Sequence, residues 1–262
     1  MSGSPRHLLV IGAQRCGTTY LHDLLADHPQ VAMARPARPE PKVFLSDEVV
    51  ERGVGWYDAT WFGHATDATR VLGEKSTSYL ERPDAIARAA SVLDDPLVLV
   101  QLRDPVERAI SNWAFSTAGG LEERPLDEAL AAELDGEVRA WDQQRTSVSP
   151  YRYLARGRYA DELAPWREAM GDRLHVTFLE EVGDDRGVLG EVYRFLGVDP
   201  DHEPAGWGTA VNSARDGAPV PELPAGLRHR LRGYFADSDR ALTSLLGRTP
   251  PWATTTERSR TP

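Results

Sequence analysis

Short apolar runs alternate along the chain with stretches of helical spacing. Leu97–Leu102 (LVLVQL) is nearly all apolar and follows Asp94-Asp95-Pro96, the pattern of a strand buried on both faces. His7–Ile11 and His175–Leu179 read the same way, and Val71–Lys75 is a weaker strand candidate. Helices are predicted at Thr18–Leu25, at Pro83–Leu93 with proline in the first turn, and at Pro105–Phe115. Further helices are predicted at Leu126–Gln143, Tyr159–Met170 and Gly187–Leu196, with two short ones, Pro224–Phe235 and Ser238–Leu246, closing the chain. This alternation predicts an α/β fold of three layers, a central and mostly parallel sheet flanked by helices. Ligands of such sheets bind beyond the carboxyl ends of the strands. No long linker interrupts residues 6–252, so 1–262 reads as a single domain whose polar tail frays from about residue 254.

Charge and cysteine usage narrow the possibilities. The 262 residues carry 30 Lys+Arg against 40 Asp+Glu, a net charge of −10. That balance argues against general affinity for nucleic acid or an anionic membrane, while leaving room for a local basic pocket. One cysteine, Cys16, excludes an intramolecular disulfide and a Cys-based zinc site, and favours a reducing compartment. The seven His are scattered, so no metal site is expected. The early apolar run Leu8–Ala13 ends at Gln14-Arg15, short for a signal peptide and too short to span a bilayer. A cytoplasmic location is the resulting expectation.

The sharpest local feature is Gly12-Ala13-Gln14-Arg15-Cys16-Gly17-Thr18-Thr19, between the first strand and the first helix. It keeps the glycine spacing of a phosphate-binding G-x-x-x-x-G-K-[ST] loop and its final threonine, with Thr18 at the lysine place. The fold is therefore P-loop-like. Two glycines allow a tight turn whose amides converge on an anion at a helix N-terminus. Arg15 adds a fork of donors, and Thr18 and Thr19 add hydroxyls. A glycine-containing turn capped by threonine is the plainer alternative. A second candidate site follows LVLVQL, where Arg103 ends the strand and Ser111 lies two turns along the next helix. Taken alone, an Arg103–Glu107 surface pair and an ordinary helical serine are the better explanation.

Several ordered elements resemble sulfotransferases that use 3′-phosphoadenosine 5′-phosphosulfate (PAPS), in particular a bacterial branch related to heparan sulfate sulfotransferases. Gly12–Thr19 resembles their 5′-phosphosulfate loop, and Arg103-Asp104-Pro105-Val106-Glu107-Arg108-Ala109-Ile110-Ser111 their 3′-phosphate motif. Glu40-Pro41-Lys42-Val43-Phe44 and Gly73-Glu74-Lys75-Ser76-Thr77-Ser78-Tyr79 resemble two further family segments. Arg156-Gly157-Arg158-Tyr159 and the closing Leu245-Leu246-Gly247-Arg248 also fit. Two departures stand out: Arg15 replaces a common lysine, and Val43 a common aromatic.

The resemblance implies sulfuryl transfer from PAPS to an acceptor hydroxyl, with adenosine 3′,5′-bisphosphate as product and no metal needed. It implies Glu40 as general base, Lys75 beside the transferring group and Arg15 at the leaving phosphate. Gln14, Arg15, Cys16, Gly17, Thr18 and Thr19 are implied cofactor contacts, as are Arg103, Ser111 and, from a late closing loop, Arg215. Lys42 is a further cleft cation and His64 an alternative base. The acidic chain favours a small molecule or glycoside as acceptor over a highly sulfated polymer. Trp113, Trp166 and Trp252 are expected in the core, and the acidic run Leu121–Asp142 on a solvated helix face. A P-loop kinase-like phosphotransferase and a non-catalytic nucleotide-binding protein are the rival readings.

Overall fold

The predicted strands form in a computed structural model that describes residues 4–142, 144–146, 148–208 and 221–253. In chain order the first unit contains β1 (Arg6–Gly12), α1 (Thr18–Asp27), β2 (Val31–Met33), α2 (Glu48–Trp61), β3 (Val71–Lys75), α3 (Asp84–Val92) and β4 (Leu97–Leu102). The chain then forms α4 (Pro105–Ala118), α5 (Leu126–Leu134), α6 (Tyr159–Met170), β5 (Leu174–Phe178), α7 (Leu179–Asp184), α8 (Arg186–Leu196) and α9 (Ala225–Leu246). Two compact units result: one runs to Leu102 and resumes at Leu163, and the other runs from Arg103 to Glu162 and includes α9.

The first unit holds a five-stranded sheet in the order β2-β3-β1-β4-β5, every neighbouring pair parallel. All six residues of β4 are buried, as its apolar run requires of a strand covered on both faces. On one face Leu8, Val10 and Leu99 pack with Leu21, Leu24 and Leu25 of α1 and Leu189, Val192 and Leu196 of α8. Elsewhere in this unit Phe44, Tyr57, Phe62 and Tyr79 form an aromatic cluster with edge-on ring pairs 5.3–5.8 Å apart. Trp166 is fully buried.

The second unit is helical. Val106, Ala109 and Ile110 of α4 pack with Leu126 and Leu130 of α5 and with Leu227, Leu231 and Phe235 of α9. Asp104 caps α4, accepting from the amides of Val106 (2.9 Å) and Glu107 (3.4 Å), and Pro105 opens the helix. Trp252 is buried in this unit and Trp113 half-buried against its core.

Several boundaries differ from the sequence expectation. The two closing helices are one: Leu227, Leu231, Phe235, Ser238 and Leu242 are buried at helical spacing, and nothing between residues 235 and 238 breaks the backbone. The helix expected to reach Gln143 stops at Leu134, followed by Asp135 and Gly136 at φ +99°. Glu122 does not lie on a solvated face. Its side chain is fully buried and accepts from Arg124, Arg139 and the hydroxyl of Tyr153. Burial opposes its ionisation, but the hydrogen bonds from Arg124, Tyr153 and Arg139 win and hold its pKa at about 2.

A carboxyl group depressed in this way stabilises the fold above its ordinary pKa, and that contribution is lost as pH falls toward 2. Glu122→Gln removes the charge that Arg124 and Arg139 share, although Arg124 keeps Glu137 at 3.0 Å, and should cost about 2 kcal/mol at neutral pH, read by urea unfolding. It should also flatten the stability loss of the parent protein between pH 4.5 and 2. A variant as stable as the parent would show that the cluster contributes nothing net.

Candidate active site

The loop between β1 and α1 is built from backbone turns and one buried amide. The Ala13 amide donates to the Gln101 carbonyl (2.8 Å), which extends the β1–β4 pairing past the end of β1. The Cys16 amide donates to the Ala13 carbonyl (3.2 Å), and Gln101 Nε2 donates to the Cys16 carbonyl (2.6 Å). Arg15 and Gly17 both have positive φ, +66° and +74°. Alternating conformations of this kind curl consecutive amides into an anion-binding concavity. Gly17 precedes α1 and offers no side-chain cap to the amides of its first turn.

Gly17 is required twice over. Its φ lies in the left-handed region, and an added Cβ would come within 2.5 Å of Leu179 Cδ1 and 3.0 Å of Gln101 Nε2. Gln14, Arg15 and Thr19 are half-buried, while Cys16 and Thr18 are buried. The thiol of Cys16 points to the Gln14 carbonyl at 3.8 Å, so it packs the loop from below. Gln101, the single polar residue of LVLVQL, supports this loop from β4, a role that no motif in the sequence marks.

Glu40 and Lys75, 35 residues apart, meet at the carboxyl end of β3. Lys75 Nζ donates to Glu40 Oε1 at 2.6 Å, and the side chains are only 8% and 18% exposed. The Thr77 amide donates to Oε2 (3.0 Å), and the Thr77 hydroxyl lies 3.0 and 3.2 Å from the two oxygens. Thr77 was not singled out in the sequence, although it stands two residues after Lys75 in the same motif. Glu74 and Lys75 are neighbours in sequence but do not form a surface pair, since both are buried. Adjacent strand residues point to opposite faces. Lys75 takes Glu40, while Glu74 accepts hydroxyl hydrogen bonds from Tyr57 (2.6 Å), Ser76 (2.7 Å) and Tyr79 (2.5 Å).

Lys42 sits in the same segment as Glu40, at φ +54°, with its amide donating to Ser76 Oγ (2.8 Å). His64 lines a different feature, a cavity of about 270 Å³ shared with His22, Arg35 and the edge strand β2. Burial, and then the Arg35 charge, lower its pKa.

The second unit carries the other predicted residues. Arg103 follows β4 directly and is half-buried, its carbonyl accepting the Tyr159 hydroxyl at 2.7 Å. Ser111 is half-buried on α4. Glu107 pairs with Arg228 (2.7 Å), so the alternative Arg103–Glu107 pair does not account for this motif. Asp104 pairs with Arg232 at 2.5 Å. Arg108 is fully buried and donates to the Tyr153 carbonyl and to Asn112 Oδ1 (3.3 Å), pinning the chain before Arg156. Gly157 is a close approach, since a Cβ there would fall 2.6 Å from the Phe235 ring. Arg215 lies outside the described residues. Among the described residues, no three His, Cys, Asp or Glu side chains converge as metal ligands, and no helix is long and apolar enough to cross a membrane.

A family model for the sulfotransferase domain matches residues 5–206. Bifunctional heparan sulfate N-deacetylase/N-sulfotransferase 1 of Caenorhabditis briggsae is 32% identical over 165 residues, covering 62% of this chain and 19% of the relative. Heparan sulfate glucosamine 3-O-sulfotransferase 3B1 of Mus musculus is 32% identical over 192 residues, 72% of this chain and 45% of the relative. The chain thus spans less than half the length of either. Among solved structures, a sulfotransferase from Alicyclobacillus acidocaldarius superposes with a TM-score of 0.71 at 25% identity, covering 95% of this chain and 98% of that one.

Gly17→Ala tests the loop. The clash and the positive φ should together cost about 1–3 kcal/mol in chemical denaturation. Binding of adenosine 3′,5′-bisphosphate should fall with the displaced amides. Unchanged stability and affinity would mean that the turn tolerates a side chain and does not shape the site.

Proposed function

The chain belongs to the sulfotransferase domain family, and we propose that it moves a sulfuryl group from PAPS to an acceptor hydroxyl of a small molecule or glycoside. The observation that carries this reading is the Glu40–Lys75 contact of 2.6 Å beside β3, the strand that neighbours β1 and its loop. PAPS supplies the sulfuryl group: the acceptor oxygen bonds to sulfur as the bond from sulfur to the 5′-phosphate oxygen breaks, leaving adenosine 3′,5′-bisphosphate.

Glu40 takes the proton of the acceptor hydroxyl. Its two oxygens offer about four lone-pair sites. Lys75, the Thr77 amide and the single Thr77 hydroxyl hydrogen occupy three, so one remains for the acceptor. Lys75 keeps the carboxylate in a fixed place and brings positive charge to the sulfuryl oxygens. Arg15, the first-turn amides of α1 and the hydroxyls of Thr18 and Thr19 suit the charge that gathers on the departing phosphate. The concave backbone at Arg15 and Gly17 suits that anion, and Gly17 can take its place in it because Leu179 and Gln101 pack too closely beneath to leave room for a side chain. Gln14 and Cys16 shape the same turn. Arg103 and Ser111 are assigned the 3′-phosphate, with Arg215 as a further cation for it. Side-chain cations supply the charge that a metal provides in phosphoryl transfer.

The two animal relatives are named for heparan sulfate. A net charge of −10 works against long polyanionic acceptors here, which favours a small or weakly charged one.

With radiolabelled PAPS and a panel of hydroxyl acceptors, mass spectrometry should detect an added sulfo group. Magnesium-dependent transfer from ATP in its place would establish the kinase reading instead. Glu40→Gln should lower turnover by about 10²–10⁴-fold while bisphosphate affinity, read by calorimetry, stays within about twofold. Arg103→Ala should do the opposite, weakening bisphosphate binding by at least about tenfold. Full turnover in the first variant removes the base assignment, and wild-type affinity in the second removes the 3′-phosphate assignment.

A further inference from the structure

Glu74 is 0% exposed, and its only hydrogen-bond donors among the described contacts are three hydroxyls. Two of these hydroxyls have a second task. Ser76 Oγ accepts the Lys42 amide at 2.8 Å, and the Tyr79 hydroxyl accepts the Phe44 amide at 3.1 Å. A hydroxyl carries one hydrogen. Ser76 and Tyr79 direct theirs at Glu74, which turns their lone pairs toward the two amides. Lys42 and Phe44 follow Glu40 by two and four residues and bracket the start of a short 3₁₀ turn, Val43–Leu45. The segment that bears Glu40 is therefore tied at both amides to one buried carboxylate, while Lys75 and Thr77 grip the Glu40 side chain from the same stretch of chain.

Packing alone does not explain Glu74. Burial pushes its pKa up, the Glu40 charge acts in the same sense, and the three hydroxyls only partly offset them. A carboxyl group raised in this way stabilises least when ionised: its contribution is greatest below the ordinary carboxylate pKa and falls as pH rises through the folded value. An apolar side chain of the same size would avoid that cost. What it could not do is orient two hydroxyls as acceptors.

We propose that Glu74 is a positioning residue for the reaction: through Ser76 and Tyr79 it fixes the backbone of residues 42–44 and so sets where the Glu40 carboxylate stands. The inference rests on Glu40 as base. Tyr57 provides an internal control, because its hydroxyl donates to Glu74 at 2.6 Å without accepting from the 40–44 segment in any described contact.

The test compares Tyr79→Phe, Tyr57→Phe, Glu74→Ala, Glu74→Gln and Glu40→Gln in the full chain, reading kcat, KM for PAPS, bisphosphate affinity and Tm. Tyr79→Phe should lower kcat about tenfold and Glu74→Ala about a hundredfold, both with bisphosphate affinity within about twofold of wild type. Tyr57→Phe should lower Tm about as much as Tyr79→Phe yet leave kcat within about twofold. Glu74→Gln keeps an oxygen for Ser76 and Tyr79 and can turn its amide to the Tyr57 hydroxyl, so it should regain most of the kcat lost in Glu74→Ala. Equal kcat losses in the two tyrosine variants, tracking Tm, would overturn the inference, and this comparison decides the matter if Glu74→Ala fails to fold. If Glu40→Gln is inactive while Tyr79→Phe turns over like wild type, the positioning role alone is lost. Full turnover in Glu40→Gln removes the base assignment and the positioning role with it.

Discussion

A carboxylate and an ammonium 2.6 Å apart, each largely withdrawn from water, form the contact around which the first unit's polar end is arranged. Desolvation makes such a pair costly unless its remaining hydrogen-bonding capacity is met. Thr77 meets it on Glu40 with both its amide and its hydroxyl. Three donors then hold a carboxylate that sits on irregular chain between β2 and α2, where no ladder or helix fixes the backbone. A loop side chain acquires the definition of a strand side chain because β3 and the residues just after it supply every one of those donors.

The anion loop reaches the same end by different means. Its amides are aimed by the backbone conformations at residues 15 and 17, which resist collapse because the loop is supported from beneath. Gln101 on β4 holds the Cys16 carbonyl, and Leu179, at the start of α7, fills the space under Gly17. Both supports come from the carboxyl ends of neighbouring strands or the residue after them. That is the general advantage of a parallel sheet for binding: several chain segments stop at one edge and can brace a loop that none of them forms.

The parts of this arrangement legible in the sequence were those with one-dimensional signatures. LVLVQL marks β4 to the residue, because a strand buried on both faces leaves an apolar run bounded by polar turns, and the weaker signal at VLGEK also coincides with β3. Glycine spacing located the loop. β2 was missed, since three residues (Val-Ala-Met) leave no pattern to recognise. α2 was missed because only Val49 and Tyr57 are buried along it, and Gly53 at φ +75° interrupts it. Polar burial was the consistent blind spot. Gln101, Thr77, Glu74 and Glu122 carry residue types expected at the surface, and only the tertiary structure shows the partners that meet them: a carbonyl for Gln101, the Glu40 carboxylate for Thr77, hydroxyls for Glu74, and guanidinium groups and a hydroxyl for Glu122. Glu74 and Lys75 illustrate the difficulty. They look like a solvated ion pair on paper, yet strand geometry sends them to opposite faces and to different partners.

A net acidic charge and a local site for an anion are compatible, because the two effects act over different distances. Surface charge is screened within about 8 Å at physiological ionic strength. Within hydrogen-bonding range the potential is set by whichever groups line the site, and at the loop and beside β3 these are Arg15, Lys75, Lys42 and the α1 amides. A compact ligand gripped at its phosphates senses that local set. The proposed preference for a small acceptor rests on the longer-range effect: over the whole chain Asp and Glu outnumber Lys and Arg by ten, which disfavours a long sulfated polymer. One charge distribution is therefore compatible with both the proposed donor site and the proposed choice of a small or weakly charged acceptor.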